Sequence, residues 1–485
     1  MRVMRFFALC LAWAWMTVVS TVPALSEAPN DTFSTRVNDG VRAAKNVARE
    51  VGVHVVAVDS AQTAYSYRAD TRHIIASNTK LLTSAAALDR LGPGFFFETQ
   101  ILAEGRMVDG RLDGDLAVVG SGDPTFSGRR WLDDPLNVFR DWARKLRAKG
   151  LRVVSGDLVL DHGVFDDELV HPDWPTNQLD RWYEAPVDAL SFSDNCILVR
   201  VRPTRTGRAA TVELVPEVPG FRVEGQVETV ARGRGQRFVR IGRSAPGVLT
   251  VGGQIPIGDP PSEKWVAVYE PVEYFGRALV DVLASEGLVI EGELKPVRSL
   301  PHAAWRRVLI ERTDLVTVLE VVNRRSQNFY AEAVLKGLAA ALCRRGTWAE
   351  GLGIVSDFLD GIGMSNGWRM SDGSGMSRNN LFTPRQLTHL LEVMYRHPHG
   401  RVFMRTLAAS GVEDQSLEKR LNEPPYLGNV LAKTGTLSGV STLSGYAKAR
   451  SGRLYAFSIL TNKSRSAWRS RRAQDQIVRA IIDHG

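Results

Sequence analysis

Ile74-Ile75-Ala76-Ser77-Asn78-Thr79-Lys80, followed by Leu81, Leu82, Ala85, Ala86 and Leu88, is the stretch on which the reading of this 485-residue chain turns. The apolar positions recur at helical spacing, so Ser77 sits at the start of a buried helix that Gly92-Pro93-Gly94 ends. A serine followed three residues later by a lysine brings both side chains to one helical face. Lys80 is then within reach of the Ser77 hydroxyl and could accept its proton, provided that it is neutral part of the time. Burial and a neighbouring cation both lower a lysine pKa from its reference of about 10.4. The helix N-terminus also favours negative charge developing there. Alone the pattern is weak, because a capped helix with a surface lysine reads the same way.

Upstream, residues 35–51 carry a helix-like pattern and lead into two strand-like runs, 53–58 and 64–68, joined by the turn Asp59-Ser60-Ala61-Gln62. Between residues 95 and 298 short β-branched runs alternate with Gly, Pro and Asp, at 116–119, 157–160, 196–201, 211–215, 238–241, 248–251 and 265–268, with a helical pattern at 272–285. Helical patterns resume after Asp314 and at 326–342. Thr383 and Pro384 form an N-cap and N1 pair opening a further helix. Strand candidates at 443–449 and 454–461 and an amphipathic helix at 473–483 close the chain. Strands near both ends with helices between imply an α+β chain whose two ends share one sheet, with the β-rich block as an insertion. The expected division is 27-96 and 300-485 for the catalytic part and 97-299 for the insertion, in one module or two.

Two more constellations lie downstream. Ser326-Gln327-Asn328 falls at a helix start, where a hydroxyl and an amide two residues apart can both point into a cleft; its bland reading is an N-cap serine. Lys433-Thr434-Gly435-Thr436 lies in a strand-like run. A strand carrying lysine, a hydroxyl and a glycine can lie beside an extended peptide: Gly435 allows close approach, and Lys433 and Thr434 can bind a terminal carboxylate. Its bland reading is a bulge on an edge strand.

Hydrophobic residues make up 44% and charged residues 24%, which excludes a disordered or fibrous chain. The net charge is +8, but nothing groups these charges with aromatics in a nucleic-acid module, so no nucleic acid partner is expected. Arg2 and Arg5 precede an uncharged run over residues 6–19, and Ala24 and Ser26 stand before Glu27 as a cleavage site. The run is short of the roughly 20 residues a spanning helix needs, so residues 1-26 read as a removable signal peptide and the mature protein as periplasmic. Leu9 before Cys10 argues against lipidation. Cys196 and Cys343 remain, with no spacing rule to pair them, and are expected to be buried thiols. His397 and His399 lack a spaced partner, so no metal and no cofactor are expected.

Taken in order, the three elements resemble the S-x-x-K, S-x-N and K-T-G triplet of penicillin-binding proteins and class A β-lactamases. The resemblance extends to Gly120-Ser121-Gly122-Asp123-Pro124, to Asp372-Gly373-Ser374-Gly375-Met376-Ser377 and to Leu443-Ser444-Gly445-Tyr446. Together these are similar to the DacB-like, low-molecular-mass class C penicillin-binding proteins. That group consists of D-Ala-D-Ala carboxypeptidases and endopeptidases, with a long insertion between the first two motifs. The resemblance implies a serine β-lactamase/transpeptidase-like domain, an antiparallel sheet flanked by helices. It implies peptidoglycan peptides as substrate, β-lactams as covalent inhibitors, and an insertion that could take cell-wall protein partners.

Residue by residue, it implies Ser77 as nucleophile and Lys80 as its base. Ser326 would relay a proton to the leaving amine, and Asn328 would hold the acyl side chain or Lys80. Lys433 and Thr434 would bind the terminal carboxylate beside Gly435, and the N–H groups of Ser77 and Thr436 would form the oxyanion hole. It also places the K-T-G strand beside Lys80, and of the two amines Lys80 is the one expected to titrate low. Relatives use an acidic residue of the insertion to grip a diamino acid; Asp173, Gln178 and Asp180 lie in that region without a clear match. The segment Gly411-Val412-Glu413-Asp414-Gln415-Ser416-Leu417 departs from the glycine-threonine pair frequent there.

The nearest rival is a β-lactamase, which shares acylation but deacylates fast; the class A enzymes do so with a glutamate in an E-x-x-L-N loop, and no such loop is expected here. A Ser-His-Asp hydrolase is disfavoured because His397 and His399 lie in a Pro/Gly-containing loop. A catalytically silent wall-binding protein would be expected to lose a motif residue, and none is lost.

Overall fold

The computed structural model describes residues 31–127, 134–233, 236–301, 304–343 and 345–485. The export signal expected at 1-26 and the side chain of Cys343 lie outside what is described; Cys196 is buried.

The two ends of the chain build one sheet. Its six strands run antiparallel in the order Gln62–Tyr67, Ala48–Ala57, Leu454–Ser464, Val440–Lys448, Val430–Leu437 and Ala408–Ala409. Ala48–Ala57 joins the early strands to the late ones, in register from Ala48 opposite Ser464 to Ala57 opposite Tyr455. Strand Val440–Lys448 is buried at every position but Lys448, as expected of a strand covered on both faces. On one face lie helices Asp31–Lys45 and Ala467–His484, whose Val37, Val41, Ile477 and Ile481 pack with Val53, Phe457 and Ile459. On the other lie helices Thr79–Leu91, Leu315–Arg324, Asn328–Cys343, Trp348–Gly361 and Pro384–Arg396. Leu82, Leu88, Leu319, Leu335 and Leu391 are fully buried in that core, each contributing about 1.5–3 kcal/mol by leaving water.

The long middle segment has its own core. A five-stranded sheet (Leu294–Val297, Leu158–Asp161, Leu116–Val119, Phe96–Ala103, Arg306–Asp314), a second sheet of four short strands, and two further sheets of three and four strands surround helices Asn137–Ala148 and Pro271–Ser285. At the centre Phe139 meets Trp142 and Phe275 edge-on, with ring centroids 5.5 and 5.0 Å apart.

Three details differ from the sequence reading. The predicted helix at 35–51 stops at Lys45, because Ala48 onward is taken by the central sheet; local propensity yields to a full ladder of strand bonds. Strand Arg306–Asp314 lies beyond the expected boundary at 299 but pairs with Phe96–Ala103, so it belongs to the sheet of the inserted block. The block also contains helix Asn137–Ala148, which the β-rich texture concealed.

Candidate active site

Ser77 lies in a single 3-10 turn, Ala76–Asn78, that feeds directly into helix Thr79–Leu91. Ala76 has a φ of +46°, a left-handed conformation uncommon for alanine. The turn is held from two sides. The Asn78 amide donates to the Lys433 carbonyl at 2.6 Å and accepts from Ser444 Oγ at 3.1 Å. Thr442 Oγ1 donates to the Ile75 carbonyl at 2.9 Å. Gly435 is needed here for space: a Cβ on it would stand 2.1 Å from Thr442 Oγ1 and 3.0 Å from the Ser77 nitrogen.

Lys80 is fully buried, and its three hydrogen-bonding directions are all used. Nζ donates to Ser77 Oγ at 3.1 Å, to Asn328 Oδ1 at 2.7 Å and to the Ser374 carbonyl at 2.7 Å. Burial holds this amine down to about 7, against an opposing pull from the Glu332 and Asp372 carboxylates. Glu332 accepts from the backbone N–H groups of Gly373 and Ser374, and Asp372 from those of Gly375 and Ser377. The Asp372-Gly373-Ser374-Gly375 segment is therefore a rigid brace that delivers one carbonyl to Lys80.

Ser326 stands just before helix Asn328–Cys343 with a φ of +59°, which turns its hydroxyl toward the K-T-G strand. Lys433 Nζ donates to Ser326 Oγ at 2.7 Å and to the Thr434 carbonyl at 2.8 Å. Lys433 has no exposed surface, and burial together with the charge of Lys80 holds its pKa well below the ordinary lysine value. The expectation that Lys80 would be the low-titrating amine is thus only half of what is found. Both are lowered: acidic neighbours oppose the shift at Lys80, and the charge of Lys80 adds to the effect of burial at Lys433.

Ser77, Ser326, Asn328, Thr434, Gly435 and Thr436 line one open cleft of about 1090 Å³; Lys80 and Lys433 lie behind its wall. Beyond Ala432 the outer edge of the K-T-G strand is unpaired among the described residues, since Ala408–Ala409 covers only Leu431 and Ala432. The inserted block reaches the cleft through Trp182 and Tyr183, and the Tyr183 carbonyl accepts from Asn328 Nδ2 at 3.0 Å. Of the three residues considered for a diamino-acid pocket, Asp173 is bound by Ser371, Ser377 and Asn379, which hold its pKa down to about 2. Asp180 is paired with Lys264. Gln178 alone lines the cleft.

Three strings in the sequence imitate motifs and are sorted by their places. Ser193-Asp194-Asn195 spells the literal S-D-N, yet it lies behind the site, where Asp194 accepts from Gln327 Nε2 at 2.9 Å. Gly363-Met364-Ser365-Asn366-Gly367 has the G-x-S-x-G form, but it follows a helix and leaves Ser365 exposed, without the strand-to-helix elbow that form requires. Glu418-Lys419-Arg420-Leu421-Asn422 has the E-x-x-L-N form, so the sequence does carry that string, and Glu418 lines the cleft. Among the described residues no cluster of three or more metal-ligating side chains is found, and no helix is long and apolar enough to cross a membrane.

The fold is that of the serine transpeptidase and β-lactamase class, with a large insertion. The chain belongs to the D-Ala-D-Ala carboxypeptidase 3 (S13) family, whose sequence model matches residues 37–482. It is 32% identical over 465 residues to a D-alanyl-D-alanine carboxypeptidase of Actinomadura sp. (strain R39), covering 92% of this chain and 84% of that one. It is 27% identical to the D-alanyl-D-alanine carboxypeptidase DacB of Haemophilus influenzae, covering 84% of each. The crystal structure of penicillin binding protein 4 (dacB) from Haemophilus influenzae superposes with a TM-score of 0.79 at 25% identity, over 92% of this chain and 98% of that one.

Proposed function

We propose that the chain hydrolyses D-alanyl peptide bonds of peptidoglycan stem peptides through an acyl-enzyme at Ser77, as a penicillin-sensitive carboxypeptidase, a D,D-endopeptidase, or both. The observation that carries this reading is a fully buried amine, held down to about 7, placed 3.1 Å from a serine hydroxyl on the wall of an open cleft. A lysine in that state is a base matched to neutral pH.

Ser77 Oγ attacks the carbonyl carbon of the penultimate D-alanine while neutral Lys80, steered by Asn328 and the Ser374 carbonyl, takes the hydroxyl proton. The N–H groups of Ser77 and Thr436 meet the oxyanion, one such donor being worth about 3–4 kcal/mol of barrier. The C–N bond then breaks, and the proton that Lys80 took from Ser77 passes by way of Ser326 to the leaving amine, with Lys433 holding the Ser326 hydroxyl in place. Water cleaves the ester at Ser77 and restores the hydroxyl. The fully buried Lys433 acts through Ser326 in this scheme, and Thr434 remains to meet the carboxylate.

Benzylpenicillin mimics the acyl donor, and the relative from Haemophilus influenzae is named for binding penicillin. Intact-mass measurement after incubation with it is expected to show one adduct, absent from Ser77→Ala. An adduct that survives this substitution would refute the assignment. A second reading, β-lactamase activity, rests on Glu418 in the same cleft. An adduct that turns over rapidly, and persists only in Glu418→Gln, would establish it.

The same reading makes residues 1-26 a signal peptide and the working compartment the periplasm; N-terminal sequencing of the mature protein should begin at Glu27. The inserted block, with Arg306–Asp314 added to it, is proposed as a separate module bearing on the acyl side of the cleft.

A further inference from the structure

The proposed substrate ends in a carboxylate, and the lysine expected to hold it has no exposed surface and is bonded to Ser326 and the Thr434 carbonyl. Another cation reaches the same strand from a neighbouring helix. Arg471, exposed on the first turns of helix Ala467–His484, lines the same cleft and donates to Thr436 Oγ1 at 3.2 Å.

Its position is built in from behind. Ser470 and Gln474 are fully buried; Gln474 Nε2 donates to Ser441 Oγ at 3.1 Å, and Ser441 is the cross-strand partner of Thr436. Arg471, one turn before Gln474, is thereby held over the end of the K-T-G strand. The neighbouring cations are engaged elsewhere: Arg420 with Asp475 at 2.7 Å, Arg325 with Asp414 at 3.0 Å, and Arg472 over the ring of Trp468. Arg471 pairs with no carboxylate among the described residues. Lys419 also lines the cleft, but makes no hydrogen bond to the strand among the described residues.

Resting on the carboxypeptidase reading, we infer that Arg471, with Thr434 and Thr436, forms the exposed binding site for the substrate's terminal carboxylate. Two hydroxyls and a planar guanidinium suit the two oxygens of that group. The buried Lys433 serves the chemistry through Ser326 instead, so binding and chemistry are divided between two basic residues.

The test compares an acylated tripeptide ending in D-Ala-D-Ala with its C-terminal amide, following release of D-alanine or D-alaninamide. The wild type should favour the acid. In Arg471→Gln the ratio of kcat/KM values should fall about 10- to 100-fold, through KM for the acid, as expected for loss of a charge-assisted hydrogen bond. The amide should be cleaved as before, and Arg471→Lys should recover part of the preference. Equal loss on acid and amide would mean a structural role and overturn the inference, as would an unchanged ratio. A ratio that collapses in Lys419→Gln or Arg472→Gln but not in Arg471→Gln would overturn it too. Penicillin acylation of Ser77 in wild type is read separately, so failure here leaves the nucleophile assignment standing.

Discussion

Lys433 donates to Ser326 Oγ at 2.7 Å from a position with no exposed surface. Lys433 thereby fixes the hydroxyl proposed to relay a proton to the leaving amine. Lys433→Ala and Ser326→Ala should each lower kcat about 10²–10⁴-fold with KM nearly unchanged, the range for loss of a general acid or base. Because the two residues act in series, the double variant should be little worse than either single one. Steady-state kinetics on a D-Ala-D-Ala peptide decides it. A raised KM with normal kcat in Lys433→Ala would return the lysine to carboxylate binding.

Gly435 separates the K-T-G strand from the nucleophile turn by the width of a missing methyl group. Its φ is not positive, so alanine fits the backbone and the conflict is purely spatial, with Thr442 Oγ1, the Ile75 carbonyl and the Ser77 nitrogen. Gly435→Ala should cost about 1–3 kcal/mol of stability as an overpacked site. It should also slow penicillin acylation at least tenfold, by moving the Ser77 N–H. Thermal unfolding and acylation rates on the same preparation test both halves; unchanged acylation would show that the strand yields without disturbing the turn.

Glu184 supplies a pH signature in the segment that carries Tyr183. Its carboxyl is fully buried with neither oxygen hydrogen-bonded, and burial, aided by Asp180 against Arg181, pushes its pKa up to about 7. The folded chain keeps a proton that the unfolded chain releases above 4.5. Stability from this group is therefore complete below that value and is lost as pH rises through about 7, a fall of about 3 kcal/mol by pH 8. Urea unfolding at pH 5 and pH 8 should show Glu184→Gln gaining on the wild type by about that amount at the higher pH. A constant difference between the two proteins would place the carboxyl in contact with water.

How far the sequence carries the site depends on whether a contact is made by a side chain or by the backbone. Ser77, Lys80, Ser326 and Asn328 announce themselves because their spacing is itself the geometry. The Ser374 and Tyr183 carbonyls that complete the Lys80 and Asn328 shells have no signature, since every residue has a carbonyl. Arg471 is invisible for another reason: it reaches Thr436 only because Gln474 bonds Ser441 across the sheet. The amphipathic pattern of Val138, Phe139, Trp142, Ala143 and Leu146 does announce the helix Asn137–Ala148, and the β-branched texture around it obscured that signal. Short strings mislead where they lack context. Ser193-Asp194-Asn195 matches the middle motif better than Ser326-Gln327-Asn328 does, and only the positions of Lys80 and Lys433 separate them.

The charge state of Lys80 is the property on which the proposed chemistry most depends. Its amine is out of water, bonded to Ser77 Oγ, Asn328 Oδ1 and the Ser374 carbonyl, and near a second buried amine. Two ammonium groups so placed titrate as a pair, and both are lowered. With Lys80 held down to about 7, the fraction able to take the Ser77 proton is small at pH 5, about half at pH 7 and nearly complete at pH 9. Penicillin acylation should accordingly rise tenfold per pH unit at the acid end and level off well below the 10.5 of an ordinary lysine. Lys80→Arg keeps the positive charge but cannot shed its proton, so it should acylate at a small fraction of the wild-type rate at every pH. Were Lys80 only a positive group steadying the site, arginine would largely substitute and the wild-type rate would fall as the amine loses its charge. Acylation rates between pH 5 and pH 10 for both proteins separate these cases, and the wild-type profile does so even if the larger guanidinium disturbs the site.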